Sequence, residues 1–194
     1  FNVFEERNNT SYEQTTNALS AIFDVELRFN DRFKATSQVG MQLDAVSKES
    51  IADHDTYAMR KDKEFTTIAS LGNKSFLPDG GKHTEAANTN SQINWKTQAE
   101  YRDSYNDIHE FEMMAGTEIR KTWYNSLNST GYGFDRKTLT TKPVIFPNES
   151  WARSYPLHTK NYVENAYASF FSTASYSLLQ RYTVGGSVRF DGSD

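Results

Sequence analysis

Residues 18–29 read Ala-Leu-Ser-Ala-Ile-Phe-Asp-Val-Glu-Leu-Arg-Phe, and in this stretch the odd-numbered positions are apolar. The charged residues Asp24, Glu26 and Arg28 occupy even positions between them. Because successive side chains of a β-strand point to opposite faces, this stretch predicts a strand with one apolar and one charged face. After Asn30-Asp31-Arg32 the alternation resumes over residues 33–45, which predicts a hairpin.

The same alternation recurs along the chain. It predicts strands at about residues 17–29, 33–53, 93–103, 108–124, 165–178 and 182–191. Consecutive strands meet in three short turns, whereas about residues 54–92 and 132–164 form long polar connections. Within each hairpin the apolar positions share one parity, which requires a turn with an odd number of residues, most simply about three or five. The predicted fold class is all-β, built from antiparallel hairpins.

Composition narrows the function classes. The formal net charge is −4, which disfavours a protein that grips nucleic acid, and no nucleic-acid partner is expected. The chain has no cysteine, so it can form neither disulfides nor thiolate metal sites. No apolar run is long enough to cross a membrane as a helix.

Two all-β architectures fit the alternation. One is a soluble secreted β-sandwich that acts as a carbohydrate-binding module. The other is a segment of an antiparallel transmembrane β-barrel, whose strands need only about 9–11 residues to cross a bilayer at a tilt. The first two strands exceed the ~5–6 residues usual in soluble proteins, and short turns at one end with long loops at the other are typical of outer-membrane barrels. The pattern therefore favours the barrel.

Six strands are too few to close a membrane barrel, and an open edge in lipid leaves backbone groups unpaired. The first and last strands are therefore expected to pair with segments outside residues 1–194. The chain begins at Phe1 rather than at Met and stops just after a strand, at Asp194. We interpret it as a piece of a longer protein.

The last thirty residues or so carry a more specific signal. The run begins with Asn165-Ala166-Tyr167-Ala168 and continues through Arg181-Tyr182. It closes with Gly186-Ser187-Val188-Arg189-Phe190-Asp191-Gly192-Ser193. This run resembles a mid-barrel hairpin of the SusC/RagA-type TonB-dependent outer-membrane transporters. Asn30-Asp31-Arg32-Phe33 and residues 112–118 resemble earlier hairpins of that family, less specifically.

The resemblance implies a 22-stranded barrel filled by a plug domain, with the plug and N-terminal regions absent from this chain. It implies the outer membrane of a Bacteroidetes-type Gram-negative cell, with lipid and lipopolysaccharide around the barrel. The implied partners are the rest of the barrel and its plug, a SusD-like surface lipoprotein that serves as a lid, and the TonB complex, which acts through the plug. The implied activity is import of glycans or peptides without covalent chemistry, so neither an enzyme nor a cofactor is expected.

Two groups of residues are candidates for the functional surfaces. The first shares the charged faces of the strands and is expected to face the barrel lumen or the plug: Asp24, Glu26, Arg28, Lys96, Arg102, Glu110, Glu112 and Glu118. The second consists of aromatic residues placed in or beside the long loops, whose rings suit contact with a glycan or a peptide: Trp123, Tyr124, Tyr132, Trp151 and Tyr155. Packing of loops against one another, or contact with the lid, is the alternative for this group. No catalytic or metal-ligating set is recognisable from residue spacing.

Overall fold

The computed structural model describes the backbone of residues 3–194 and every side chain in that range except that of Ser70. The chain divides into two compact units. The hairpin unit comprises Ala18–Asp44, Asn90–Tyr124 and Val163–Asp194. The loop unit comprises the described residues up to Asn17, together with Ala45–Thr89 and Asn125–Tyr162.

Six long strands and a few short elements make up the described chain. In chain order the elements are α1 (Val3–Asn9), β1 (Thr10–Arg28), β2 (Phe33–Ala52), α2 (Tyr57–Phe65), β3 (Thr67–Ile68), a 3₁₀ turn (Ala69–Leu71), β4 (Lys74–Ser75), β5 (Gly81–Tyr105), β6 (His109–Phe134), α3 (Glu149–Ser154), β7 (His158–Leu178) and β8 (Tyr182–Ser193).

The six long strands form one antiparallel sheet in the order β1-β2-β5-β6-β7-β8, with β1 and β8 at its edges. This agrees with the predicted all-β fold of three hairpins. The sequence placed the start of β5 at about residue 93 and the end of β6 at about residue 124, whereas these strands run from Gly81 and to Phe134. β7 likewise begins at His158 rather than at about residue 165. The long connections are correspondingly shorter than predicted.

All three hairpin turns contain an odd number of residues, as the shared parity of the apolar positions requires. In the last hairpin Leu178 pairs with Tyr182, which leaves three residues in the turn. In the first, the N–H of Phe29 donates to the carbonyl of Phe33 at 3.1 Å across Asn30–Arg32. In the middle hairpin β5 ends at Tyr105 and β6 begins at His109. The apolar side chains of each pair of strands therefore share a face.

The loop unit has a small hydrophobic core of its own. Met59 on α2 is fully buried, and Phe76, Leu77 and Tyr132 are almost so. Helix α2 is positioned by Thr56, whose hydroxyl accepts a hydrogen bond from the N–H of Met59 at 3.3 Å. The core fixes the connection between β2 and β5 against the far end of β6.

Among residues 3–194, no helix has both the length and the apolar character needed to cross a membrane.

Candidate functional site

The apolar face of the hairpin unit is open. Side chains at the predicted apolar positions remain largely accessible, for example Phe23 at 63%, Phe170 at 63% and Phe190 at 69%. Within the described residues the hairpin unit contains strands of only one sheet, so no second layer covers this face. A soluble sandwich would bury these side chains against a facing sheet. The apolar face therefore lacks the partner layer that a soluble fold requires.

The opposite, polar face carries a ladder of ion pairs across neighbouring strands. The ammonium of Lys34 lies 3.1 Å from a carboxylate oxygen of Glu100 and 3.9 Å from one of Glu26. Arg102 Nε lies 2.6 Å from Glu112 Oε1 across the middle hairpin. These pairs are exposed to solvent and therefore contribute little stability, typically about 0–1 kcal/mol each. They show instead that this face suits an aqueous environment.

The other predicted polar-face residues take part in the same surface. Asp24 accepts a hydrogen bond from Gln38 Nε2 at 2.7 Å, and Glu26 accepts one from Arg28 Nε at 2.7 Å. Glu110 accepts a 3.3 Å bond from the side chain of Gln180. Asp24, Glu26 and Arg28 are thus held by neighbours on the first hairpin, and Glu110 by the turn of the last.

Arg189 organises a cluster that residue spacing alone did not single out. Its guanidinium lies 2.8 Å from Asp191 and 3.6 Å from Glu118, and it donates a 3.0 Å hydrogen bond to the buried hydroxyl of Ser169. The cluster joins β6, β7 and β8 on the polar face. In the sequence, two of its members belong to the Arg189-Phe190-Asp191-Gly192-Ser193 end of the closing run.

Phe171 is the exception to the alternation of β7, since its ring lies among polar-face residues. Beneath it is Gly116, where a Cβ atom would come within 2.5 Å of the Phe171 ring and 2.7 Å of the Thr97 carbonyl oxygen. The ammonium of Lys96 lies 5.4 Å from the ring centroid on the same face. Lys96 therefore contacts an aromatic ring rather than a carboxylate.

The polar face is concave near the turns. A groove of about 970 Å³ runs over residues of all six long strands, and it opens to solvent. Its lining combines cations and anions from five neighbouring positions, Arg28, Lys34, Glu100, Arg102 and Glu112, with small residues on β7 and β8. An open, mixed-charge concavity can hold a polar peptide segment or a hydrophilic solute.

The five aromatic candidates separate into two groups. In the loop unit Tyr132 is only 3% exposed, and Trp151 and Tyr155 pack on Phe76 with ring centroids 5.1 and 5.9 Å away. Burial raises the pKa of the Tyr132 phenol to about 12. These three residues hold the loop unit together, which corresponds to the loop-packing alternative.

Trp123 and Tyr124 belong to the hairpin unit, at the end of the part of β6 that lies in that unit. Trp123 is half-buried, and the Lys121 ammonium lies 5.2 Å from its ring. Tyr124 is 38% exposed. Of the five aromatic candidates, Tyr124 is the most accessible to an outside molecule.

A second, smaller groove of about 620 Å³ lies in the loop unit, beside Gly80 and Gly133. Its lining carries the cations Arg136, Lys137 and Lys142 and the anions Asp53, Asp79 and Asp135. Arg136 lies 3.3 Å from Asp53, and Lys63, which is outside the groove, lies 2.7 Å from Asp79. The hydrogen bond from Lys63 lowers the pKa of the exposed Asp79 carboxyl below its ordinary value. With three lysine or arginine side chains and three aspartates in its lining, the groove has no marked preference for one sign of ligand.

Solved structures with a similar fold include three of the RagAB peptide transporter. The chain superposes on the RagAB peptide transporter with a TM-score of 0.74 at 18% identity. For the RagAB peptide importer the TM-score is 0.73 in the closed-closed state, at 18% identity, and 0.73 in the open-open state, at 17% identity. Each match covers 96% of this chain and 18% of the other.

At this level of identity the likeness concerns the fold, and this chain spans less than a fifth of the length of those it matches. The fold of residues 10–193 is thus similar to that of a segment of those longer chains. No protein-family model matches the sequence, and no curated protein does.

Proposed function

We propose that this chain is a barrel segment of a SusC/RagA-type TonB-dependent outer-membrane transporter that imports peptides or glycans. The observation that carries the proposal is the contrast between the two faces of the hairpin unit. One face exposes large apolar side chains without a covering layer, and the other is concave and charged. Hydrocarbon on the first side and an aqueous interior on the second give each face the surroundings that its side chains favour.

The open edges of the sheet support the assignment of a segment. β1 and β8 are edge strands of the sheet, and their outer backbone groups need partners if the strands lie in a bilayer. In the proposed transporter, further strands of a closed barrel, of the 22-stranded plugged type, supply these partners. The parts of the strands in the hairpin unit cross the membrane, while the loop unit lies outside it.

The partners follow from this placement. The plug and the remaining strands meet the polar face and the two edges, and lipid and lipopolysaccharide meet the apolar face. A SusD-like lipoprotein covers the loop side, and TonB acts through the plug. Uptake needs no covalent chemistry, so the segment forms part of the barrel wall and a docking surface and does not act as an enzyme.

The substrate is a peptide or a glycan. The similar solved structures are those of a peptide transporter, which makes peptides the first class to test. The mixed-charge groove on the polar face suits the charged side chains of a peptide better than an uncharged sugar. Tyr132, Trp151 and Tyr155 pack within the loop unit, which weakens the case for stacking of these rings on sugars.

Residues 1–194 contain no cysteine, so a thiol introduced there is the only one within this segment. Ala115 lies on the apolar face of β6 and is exposed, and its neighbour Met114 lines the polar groove. In the intact transporter in outer-membrane vesicles, a spin label on Ala115→Cys should be relaxed by oxygen, which partitions into lipid. A label on Met114→Cys should instead respond to a water-soluble nickel chelate.

If both labels respond alike to the chelate, the sheet is not in a bilayer and the soluble carbohydrate-binding sandwich becomes the better assignment. If the Ala115 label is inaccessible to both reagents, protein covers that face and the transporter proposal fails. Uptake of fluorescent peptides and of labelled oligosaccharides by cells that express the intact transporter then distinguishes the two substrate classes.

A further inference from the structure

We propose that Glu49, His83 and Glu85 form a zinc site that ties β2 to β5 in the loop unit. One ligand atom from each residue lies within 4.8 Å of the other two. Glu49 belongs to β2, whereas His83 and Glu85 are two positions apart on β5 and so share a face of that strand. The inference concerns the loop unit alone and is independent of the transport proposal.

The geometry is near that of a bound divalent ion. His83 Nε2 forms a 2.8 Å hydrogen bond with Glu49 Oε1 and lies 3.8 Å from Glu85 Oε1, so a bound ion would replace the hydrogen bond. In a tetrahedral zinc site with bonds of about 2.0–2.1 Å, neighbouring ligand atoms are about 3.3 Å apart. Small side-chain rotations of the two exposed glutamates bring the three atoms to that spacing, with water as the fourth ligand.

The imidazole is already oriented for this role. Its ring stacks on Phe134 with centroids 4.7 Å apart and planes inclined by 25°. Phe134 is only 5% exposed, so it is a fixed platform. Because the ring is held in place, Nε2 points at the carboxylates without a further loss of side-chain freedom on binding.

The charge balance at the cluster independently points to a cation. Glu49 and Glu85 are two carboxylates on adjacent strands, an arrangement that is destabilising when the charges are unbalanced. Among the ion pairs of residues 3–194, their partner is His83, and neither forms one with a lysine or an arginine. A divalent cation would supply positive charge to balance the two carboxylates.

The donor set selects the class of metal. One imidazole nitrogen and two carboxylate oxygens suit zinc, whereas calcium and magnesium prefer sites made of oxygen alone. The ligands come from Glu49 and His83 on either side of the connection that holds α2, β3 and β4. Bound zinc would therefore close the base of this connection, in the way that a short cross-link does.

The test is calorimetric titration of the full chain in detergent micelles with zinc chloride, in a buffer free of chelators. We expect saturable binding of one ion per chain. Removing a group that merely supports a metal ligand costs about 10–100-fold in affinity, so Glu49→Gln and His83→Gln should each weaken binding by at least about tenfold. The matched control is His54→Gln, which breaks an exposed pair with Asp55, of 2.9 Å, and should leave binding unchanged.

A second readout guards against misfolded variants. Zinc should raise the unfolding midpoint of the wild-type chain and of His54→Gln, but not that of Glu49→Gln, whose neutral amide has the same shape as the carboxylate. The proposal is overturned if the wild type shows no saturable binding, if Glu49→Gln binds as tightly as the wild type, or if calcium chloride binds more tightly than zinc chloride.

Discussion

Gly116 leaves a gap in the polar face of β6 that the ring of Phe171 fills. A methyl group at this position would lie 2.5 Å from the ring and 2.7 Å from the carbonyl oxygen of Thr97, and the latter is backbone that cannot rotate away. At Gly186 on β8, nothing lies within 4 Å of the same methyl group. Gly186 therefore serves as a control in open space for the overpacking expected at Gly116.

We expect Gly116→Ala to lower the free energy of unfolding by about 1–3 kcal/mol, the usual cost of overpacking. Gly186→Ala should change it by less than about 0.5 kcal/mol, as for other surface substitutions. The measurement is urea unfolding of the chain in detergent micelles, followed by tryptophan fluorescence. Equal effects at the two positions would show that Phe171 does not lie on Gly116.

Tyr132 provides a test in the loop unit. Burial raises its pKa from 10.0 to about 12 in the folded chain. A folded-state pKa above the unfolded value means that stability is complete below pH 10 and is lost as the pH rises through about 12. Full ionisation should cost about 2–3 kcal/mol, since one pKa unit corresponds to about 1.4 kcal/mol.

The effect is measured as the difference in unfolding free energy between wild type and Tyr132→Phe from pH 9 to pH 12, because lysine titration is common to both. A wild-type slope equal to that of Tyr132→Phe would mean that the phenol is not buried.

The sequence reveals which residues are aromatic but not what covers them, and this is why Tyr132 and Trp151 were candidates for ligand contact. Tyr132 is buried, and Trp151 partly buried, against a core that includes Met59 and Phe76, which lie more than fifty residues away along the chain in a connection without periodic signal. By contrast, Glu26 and Arg28 could be placed on the polar face from position alone. Alternation in a strand is a local property, whereas a core formed by irregular loops is not.

At the scale of elements, the strands are longer than the alternating pattern predicts. Residues 81–92 of β5 include Thr84, Asn88, Asn90 and Ser91, which are polar on both faces. β6 has 26 residues, far more than the ~9–11 needed to cross a bilayer. Where both faces of a strand meet water, the contrast between odd and even positions disappears, and only the hydrogen-bonded ladder defines the strand. The sequence therefore predicts the part with one apolar face and misses the rest.

The turns between strands differ in how well their residues suit them. In the middle hairpin Asn106 and Asp107 have positive φ, and the N–H of Ile108 donates to the carbonyl of Tyr105 at 3.2 Å. In the last hairpin Leu179 and Gln180 adopt φ of 54° and 53° with the equivalent bond at 3.0 Å. Such turns favour Asn and Gly, and other residues pay about 1–2 kcal/mol for a left-handed backbone.

Replacing Leu179-Gln180 by Asn-Gly should therefore raise the free energy of unfolding by about 1–2 kcal/mol. The backbone hydrogen bond from Leu179 to Ile108, of 2.6 Å, does not depend on the side chain and should persist. The matched change in the middle hairpin, Asp107→Gly, should gain less because Asp already tolerates this conformation. Equal gains in the two hairpins, measured by urea unfolding, would argue against strain at Leu179.

At the scale of the whole molecule, the two faces and the two edges make different demands. The apolar face needs lipid, the polar face needs water, and the edge strands need further backbone partners. The sequence shows the first two demands as alternation, and they were predicted. The third was predicted as well, since six strands are too few to close a membrane barrel, and the strand order shows that β1 and β8 are the edges of the sheet.

Hydrogen exchange separates an edge that is closed by other strands from an edge that is free. Along β8 the residues from Tyr182 to Ser193 pair with β7 on one side, so alternate amides point away from the sheet. In the 194-residue chain in micelles these outward amides should exchange fast, while those of β2 and β6, which have neighbours on both sides, should be protected. In the intact transporter the outward amides of β1 and β8 should become as protected as those of β6. Fast exchange at both edges in the longer protein would show that the sheet stays open, and the barrel assignment would then be lost even if the fold of the segment stands.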